Sequence, residues 1–493
     1  MNHSLLNSMF SNRLRPLLCL LLVCVGAESC FADFVIFGIP GTKRKTVLEG
    51  KTKVHSANLI EFSYPGFPSI TLGNEFATSI KAPTRQEEFR RLFQKANRSK
   101  YIDDFLEAAR QALQRGMLKE FYECCSAAYK IDPVHPTVVR LIEARKRVKQ
   151  ELGNHDQVAT QLEETTGLKQ MQIAVSRHYV MFHDTPDKKI GRKKQTRAEQ
   201  RLELLEQVYE AFFMKFALDG VVLEPPKEHM MVLLFNEEQT YLRYATELNP
   251  ELRRASGFWS PKDNISVFYD QGSTEEMQLM SEMAEKLQVA KQKARGQGDS
   301  RDIAYLANSF DLLIKISKEE SDIEVVSHEA THQLAGNSGL MPRKKLGLRW
   351  AQEGLASYFE TPAGAGWGGI GTVNASRLMG YRRIARDPNR APLELLVSDA
   401  LFDGATDTAQ LGDAYGQAWA LTHYLMENEF EKLVDYYRRC SELQGDDEGK
   451  ILRSDLVKVF LDVFGDIRIV ERNFHEYMNT LKTDVDRMVE AMN

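Results

Sequence analysis

Val326-Ser327-His328-Glu329-Ala330-Thr331-His332 and, further on, Trp350-Ala351-Gln352-Glu353-Gly354-Leu355-Ala356 are the stretches on which the reading of this chain turns. Ser321-Asp322-Ile323-Glu324 has the form of a capping box and Gly336 that of a stop, so a helix is predicted from Asp322 to about Ala335. At ~100° per residue, Ile323, Val326, Ala330 and Leu334 form one apolar stripe, and His328 and His332 lie roughly 140 to 180° away from it. The second segment repeats this geometry with an offset of 25 residues: Leu348, Ala351, Leu355 and Phe359 make the stripe, and Glu353 and Ser357 take the places of the two histidines. Two helices packed through equivalent stripes would turn two imidazoles and one carboxylate toward a common point.

Two histidines four residues apart on a helix, with an acid beside them, suit a zinc ion and a general base for hydrolysis. Three protein ligands and one open position is the catalytic form of such a site, whereas a closed structural site usually takes four ligands and more cysteine. The expected ligands of one Zn2+ are His328, His332 and Glu353, with Glu329 as the base that takes a proton from water and passes it to a leaving nitrogen.

Composition narrows the alternatives. With 493 residues, 43% apolar and 27% charged, the chain has material for two or more domains with buried cores. A net charge of -5 gives no electrostatic reason to expect nucleic acid or an anionic membrane as partner. Arg13 and Arg15 precede the apolar run Leu17 to Val25, and Cys30-Phe31-Ala32 follows with small residues, the pattern of a signal peptide over residues 1–32. Export to the periplasm or outside the cell is therefore expected, and no later segment is apolar for long enough to span a membrane. Cys124, Cys125 and Cys440 are too few to staple so large a mature chain and read as buried helix residues.

Residues 33–82 alternate apolar and polar between turn formers and read as a small β-rich segment, as in Asn58-Leu59-Ile60-Glu61-Phe62-Ser63-Tyr64 and Pro65-Gly66-Phe67-Pro68. Residues 83–168 read as helical. Ala108, Ala109, Ala112 and Leu113, Gly116 at the turn, then Ala128 and Asp132-Pro133 are similar to one tetratricopeptide-type hairpin, a candidate surface for a protein partner. In residues 169–493, strands are predicted at His178–His183, His229–Phe235 and Ile265–Tyr269, and helices at Ala198–Phe216 and Thr274–Arg295. Lys188-Lys189-Ile190-Gly191-Arg192-Lys193-Lys194 has no interleaved aromatics and reads as a solvated loop.

His328-Glu329-x-x-His332, followed by Trp350-x-x-Glu353-Gly354-x-Ala356, resembles the gluzincin clan of zinc metallopeptidases, and more closely the peptidase MA-like group of exported bacterial proteins filed under domain of unknown function 1570. The resemblance covers residues 322–427. It implies an α+β catalytic core with the metal helix beneath a small sheet, whose substrate-binding edge strand would be Ile265–Tyr269 or His229–Phe235. It also implies an oxyanion donor some tens of residues past the third ligand; Asp413-Ala414-Tyr415 offers Tyr415, and His423 is the alternate. Glu360 reads as either a partner behind a ligand or a solvated acid. Gly364-Ala365-Gly366-Trp367-Gly368-Gly369 follows a helix rather than a strand and reads as a loop near the cleft, with Trp367 a candidate substrate contact. No Gly-x-Met-Glu-Asn segment precedes the motif, so an endopeptidase acting on peptides or proteins is expected rather than an aminopeptidase. The rivals are an amidase of a non-peptide substrate, and a non-catalytic exported interaction protein using its helical hairpin, with a structural or vestigial zinc site.

Overall fold

The computed structural model describes residues 32–38, 45–56, 59–64, 69–73, 77–189, 193–293, 300–343, 347–360, 362–363, 366–447 and 449–490. Residues 1–31 of the expected signal peptide, the Pro65–Pro68 turn, the first two residues of the glycine-rich run at 364–369 and the centre of the basic loop lie outside them. The architecture is mixed α+β, with two five-stranded sheets.

The first sheet is an antiparallel arrangement of β1 (Ala32–Gly38), β2 (Lys45–Ser56), β3 (Leu59–Ser63), β4 (Ile70–Gly73) and β5 (Ala77–Ala82), in the order β4-β3-β2-β1-β5. Five helices follow: α1 (Arg85–Ser99), α2 (Ile102–Gln114), α3 (Leu118–Ile131), α4 (Pro136–Val148) and α5 (His155–Thr166). Ala108, Ala109, Ala112, Leu113 and Ala128 are all buried, which lets α2 and α3 pack closely about the turn at Gly116, where φ is +70°.

The second sheet runs β6-β7-β8-β10-β9, from β6 (Gln172–Val175), β7 (Tyr179–His183), β8 (Met230–Phe235), β9 (Gly257–Ser260) and β10 (Ile265–Tyr269). The three central strands are parallel and the two outer ones antiparallel to their neighbours. Alternation sends Val180, Phe182, Met231, Leu233 and Ile265 to one face, against α5 and α7 (Glu238–Leu248). Tyr179, Met181, Val232 and Phe268 go to the other, against α6 (Arg197–Leu218) and the helix that carries His328 and His332. Every residue of β8 and β10 is buried because both faces are covered.

Past α8 (Glu275–Lys293), the histidine-bearing helix α9 spans Ser300–Asn337, 38 residues without interruption. This corrects the expected start at Asp322. Ser321 and Glu324 lie inside the helix rather than at its start, and the Asp322 carboxylate between them is buried, meeting Arg197 at 2.7 Å, Arg201 at 2.6 Å and the Gln271 backbone N–H at 3.0 Å. The residues before it earn their place by packing Leu312, Leu313 and Ile316 on the first sheet. Nor does Gly336 stop the helix: it lies inside the last turn, where a Cβ would come within 2.5 Å of the Trp259 ring.

The remainder is helical: α10 (Arg349–Phe359), a two-stranded ribbon of β11 (Pro362–Ala363) and β12 (Gly366–Trp367), α11 (Ala375–Ala385), the short α12 (Leu393–Val397) and α13 (Ala400–Asp403), α14 (Thr408–Asn428), α15 (Phe430–Glu442), α16 (Arg453–Phe464), α17 (Ile467–Thr480) and α18 (Asp484–Glu490). Cys124 and Cys440 are buried and Cys125 half-buried, all free, with burial pushing the Cys125 and Cys440 thiols up to about 12. No described helix is long and apolar enough to cross a membrane.

Candidate metal centre

The stripe Ile323, Val326, Ala330 and Leu334 is buried as its period predicts, which turns His328, Glu329 and His332 to the other side of α9. Polar pins fix the helix beneath the second sheet. The buried Gln333 amide donates to the carbonyls of Met231 (3.1 Å) and Asn264 (2.9 Å) and accepts from the Ser266 hydroxyl (3.0 Å).

Glu353 arrives on α10, whose first N–H groups lack a cap from the preceding residue, Leu348. Asp399 supplies one from a distant loop, accepting from the backbone N–H of Arg349 (2.8 Å) and Trp350 (2.9 Å). Gly354 permits the close approach of α14: a Cβ there would lie 2.6 Å from the Ala418 carbonyl oxygen and 2.1 Å from the Thr422 hydroxyl. The neighbouring carboxylate is thereby held toward α9.

The three expected ligands meet. His328 Nε2 lies 3.0 Å from Glu353 Oε2, the two Nε2 atoms are 3.2 Å apart, and His332 Nε2 is 3.4 Å from the same Glu353 oxygen. Among the described residues they form the group of histidine, cysteine and acidic side chains able to hold a metal ion. The edge of a tetrahedron with bonds of about 2.0–2.1 Å is about 3.3–3.4 Å. The donor triangle therefore fits a tetrahedral ion with its fourth position free.

Glu360, left open by sequence, is buried behind the site and not solvated. Its Oε2 accepts from His328 Nδ1 at 2.7 Å, and its Oε1 accepts from Arg377 Nε at 2.7 Å and Asn374 Nδ2 at 3.3 Å. The bond to Glu360 fixes the orientation of the imidazole, with Nε2 turned toward Glu353 and His332. Burial opposes charge on His328, yet hydrogen bonds to Glu353 and Glu360 hold its pKa well above the ordinary value. Burial likewise opposes ionisation of Glu353, but the charge of His332 and hydrogen bonds to both histidines hold it far below the usual carboxylate range. Burial raises the Glu329 pKa despite the charges of His328 and His332.

The edge strand beside Glu329 is β9 and neither of the two expected: β8 and β10 are interior, with partners on both sides, and β6 forms the other edge. Gly257 faces α9, where a Cβ would stand 2.6 Å from Val325 and 3.4 Å from the Glu329 side chain, and the Trp259 backbone N–H hydrogen-bonds the Glu329 carboxylate. The strand is only four residues long and was not recognised in the sequence.

Tyr415 stands beside the centre, its ring 6.3 Å from that of His328. Burial and the nearby Glu353 and Glu329 keep its phenol protonated well beyond the ordinary range. It also lines a cavity of about 290 Å³ with Arg254, Thr406, Asp407 and Leu411. His423 is instead a satisfied core histidine: Nε2 donates to the Gly371 carbonyl (3.1 Å), and Nδ1 accepts from the Tyr477 hydroxyl (3.0 Å). Trp367 is also no substrate contact. Its ring is buried, and its Nε1 donates to the Phe359 carbonyl at 3.0 Å. Arg377, Asn374 and Asp399 went unrecognised; Asn374-Ala375-Ser376 carries only a cap signal, and nothing local ties Asp399 to α10.

A family described as a protein of unknown function, DUF1570, matches residues 322–445, from the second part of α9 through α15. No curated protein and no solved structure matches the chain.

Proposed function

We propose that this chain is an exported zinc-dependent endopeptidase of gluzincin type, with His328, His332 and Glu353 as ligands and Glu329 as general base. The observation that carries this reading is the triangle of two imidazole nitrogens and one carboxylate oxygen, 3.0 to 3.4 Å apart, backed by Glu360 and flanked by the half-buried Glu329 carboxylate. When bound, zinc supplies Lewis acidity that polarises a carbonyl and makes water more acidic. Glu329 takes the proton of the attacking water and returns it to the departing amine. The Tyr415 hydroxyl donates to the oxyanion that develops on the carbonyl, and Gly257–Ser260 offers its outer edge to an extended peptide backbone. The helices at 83–168 serve as a tetratricopeptide-like support that can also present a surface to a partner.

The test is zinc stoichiometry and cleavage of labelled casein by the mature protein, beside Glu329→Gln and Tyr415→Phe. One zinc in all three is expected, with cleavage reduced ~10²–10⁴-fold in the first variant and ~10²–10³-fold in the second, the usual loss on removing one oxyanion donor. Zinc without cleavage in the wild type would favour the interaction-protein or non-peptide amidase readings; no zinc would sink the site.

A further inference from the structure

Four side chains close a ring behind and beside the ligand triangle. Glu360 accepts from His328 on one oxygen and from Arg377 on the other, each at 2.7 Å. The Arg377 guanidinium carbon lies 5.3 Å from the centroid of the Tyr415 ring, and that ring stands 6.3 Å from His328. Asn374 anchors the ring at its base: its side-chain oxygen accepts from the Arg377 backbone N–H (3.1 Å) while its amide donates to Glu360.

We propose that Arg377 is a positioning residue shared by the two arms of the site, holding Glu360 against the ligand His328 through its Nε edge and orienting the Tyr415 phenol through its face. The Tyr415 half rests on the hydrolase reading above; the Glu360 half requires only that His328 bind a metal. The chemistry of the side chain accounts for its choice. A planar guanidinium gives an edge N–H to a carboxylate and its face to an aromatic ring at once, which a lysine ammonium does not. Glu360 is 1% exposed, so without Arg377 a buried carboxylate would lose its cationic partner and its hold on the imidazole.

The test compares Arg377→Met, Arg377→Lys and Glu360→Gln in the full chain, with zinc affinity measured by competition against a chromophoric chelator and ligand geometry by the visible absorption of the Co2+ form. Arg377→Met is expected to weaken zinc binding ~10–100-fold and shift the Co2+ bands, the usual scale for losing a partner of a ligand. In a Glu360→Gln background the same substitution should change neither, because it acts through Glu360. That double variant also leaves no unpaired buried carboxylate, so it carries the test should Arg377→Met fail to fold. Arg377→Lys should keep zinc affinity within a few-fold of wild type while lowering kcat on labelled casein at unchanged KM. Unchanged zinc affinity and Co2+ bands in Arg377→Met would overturn the proposal, as would a further loss of zinc from Arg377→Met in the Glu360→Gln background. The metal titrations need no turnover, so a wild type inert toward casein would defeat the peptidase reading and leave this one to be decided by zinc.

Discussion

Two buried charge clusters lie six residues apart on α9, and they are built on opposite principles. Around Asp322 every carboxylate oxygen meets a donor: Arg197 and Arg201 on one, the Gln271 N–H on the other. Around His328 two ring nitrogens and one carboxylate oxygen face one another within 3.4 Å, and the other ring nitrogen of His328 is held by Glu360. The first cluster is electrostatically closed and locks α9 to α6. The second is balanced only when a cation or protons sit among its acceptors. The same helix thus carries a fastening and a socket, and their difference is in which partners are missing.

The sharpest way to break this contrast is at Glu329, which belongs to the socket but is no ligand. Glu329→Gln is expected to cut kcat/KM for peptide hydrolysis by ~10²–10⁴-fold with zinc stoichiometry intact; loss of zinc in that variant would make it a ligand-holding residue instead. Next comes the fastening. Asp322→Ala leaves two buried guanidiniums short of a counter-charge and should lower the unfolding free energy by ~3–5 kcal/mol in urea titrations, while the folded fraction still binds one zinc. Zinc lost in step with Asp322 would mean that the clusters are one unit.

Asp399 sharpens the comparison as a third kind of buried carboxylate, answered by backbone N–H groups alone. Burial holds its carboxyl up at about 6, against the cap bonds from Trp350 and Arg349. A raised folded-state pKa means that its contribution is complete below the unfolded-chain value near ~3.9 and is lost as pH rises through about 6. At about 1.4 kcal/mol per unit, this one group accounts for a fall of up to about 3 kcal/mol in stability between roughly pH 4 and pH 7. The difference between wild type and Asp399→Asn unfolding curves across that range should show the fall only in wild type; parallel curves would remove Asp399 from the account. The smallest effect is expected at the sheet. Gly257→Ala places a methyl 2.6 Å from Val325, and the forced shift of β9 should cost ~1–3 kcal/mol in thermal or urea unfolding, with zinc affinity unchanged.

Much of this site was legible because its signal is local. Ile323, Val326, Ala330 and Leu334 set the face of α9 by period alone, and the matching stripe through Ala351, Leu355 and Phe359 did the same for Glu353. What failed depended on residues far away in the chain. Ser321-Asp322-Ile323-Glu324 has a cap's pattern, yet it lies mid-helix, because Leu312, Leu313 and Ile316 before it pack on a sheet formed more than two hundred residues earlier. The edge of the sheet went to β9 because strand order is a tertiary fact, while the apolar run of β10 is what an interior strand looks like. Glu360 could not be decided because its partners come from two other helices, and Arg377 carried no sign of its ring.

The turn at Gly116 rests against the loop that leaves the second ligand helix: a Cβ on Gly369 would stand 2.2 Å from the Gln114 carbonyl oxygen, which also accepts from the Thr372 hydroxyl at 2.7 Å. Leu141 and Ala144 meanwhile share one core with α6 and α10. The change in composition near residue 168 is therefore no seam for the protein engineer. A shortened version begun there would bare that core and unseat the loop leading to Asn374, so an inert truncation would report the loss of a foundation and say nothing about the chemistry above it.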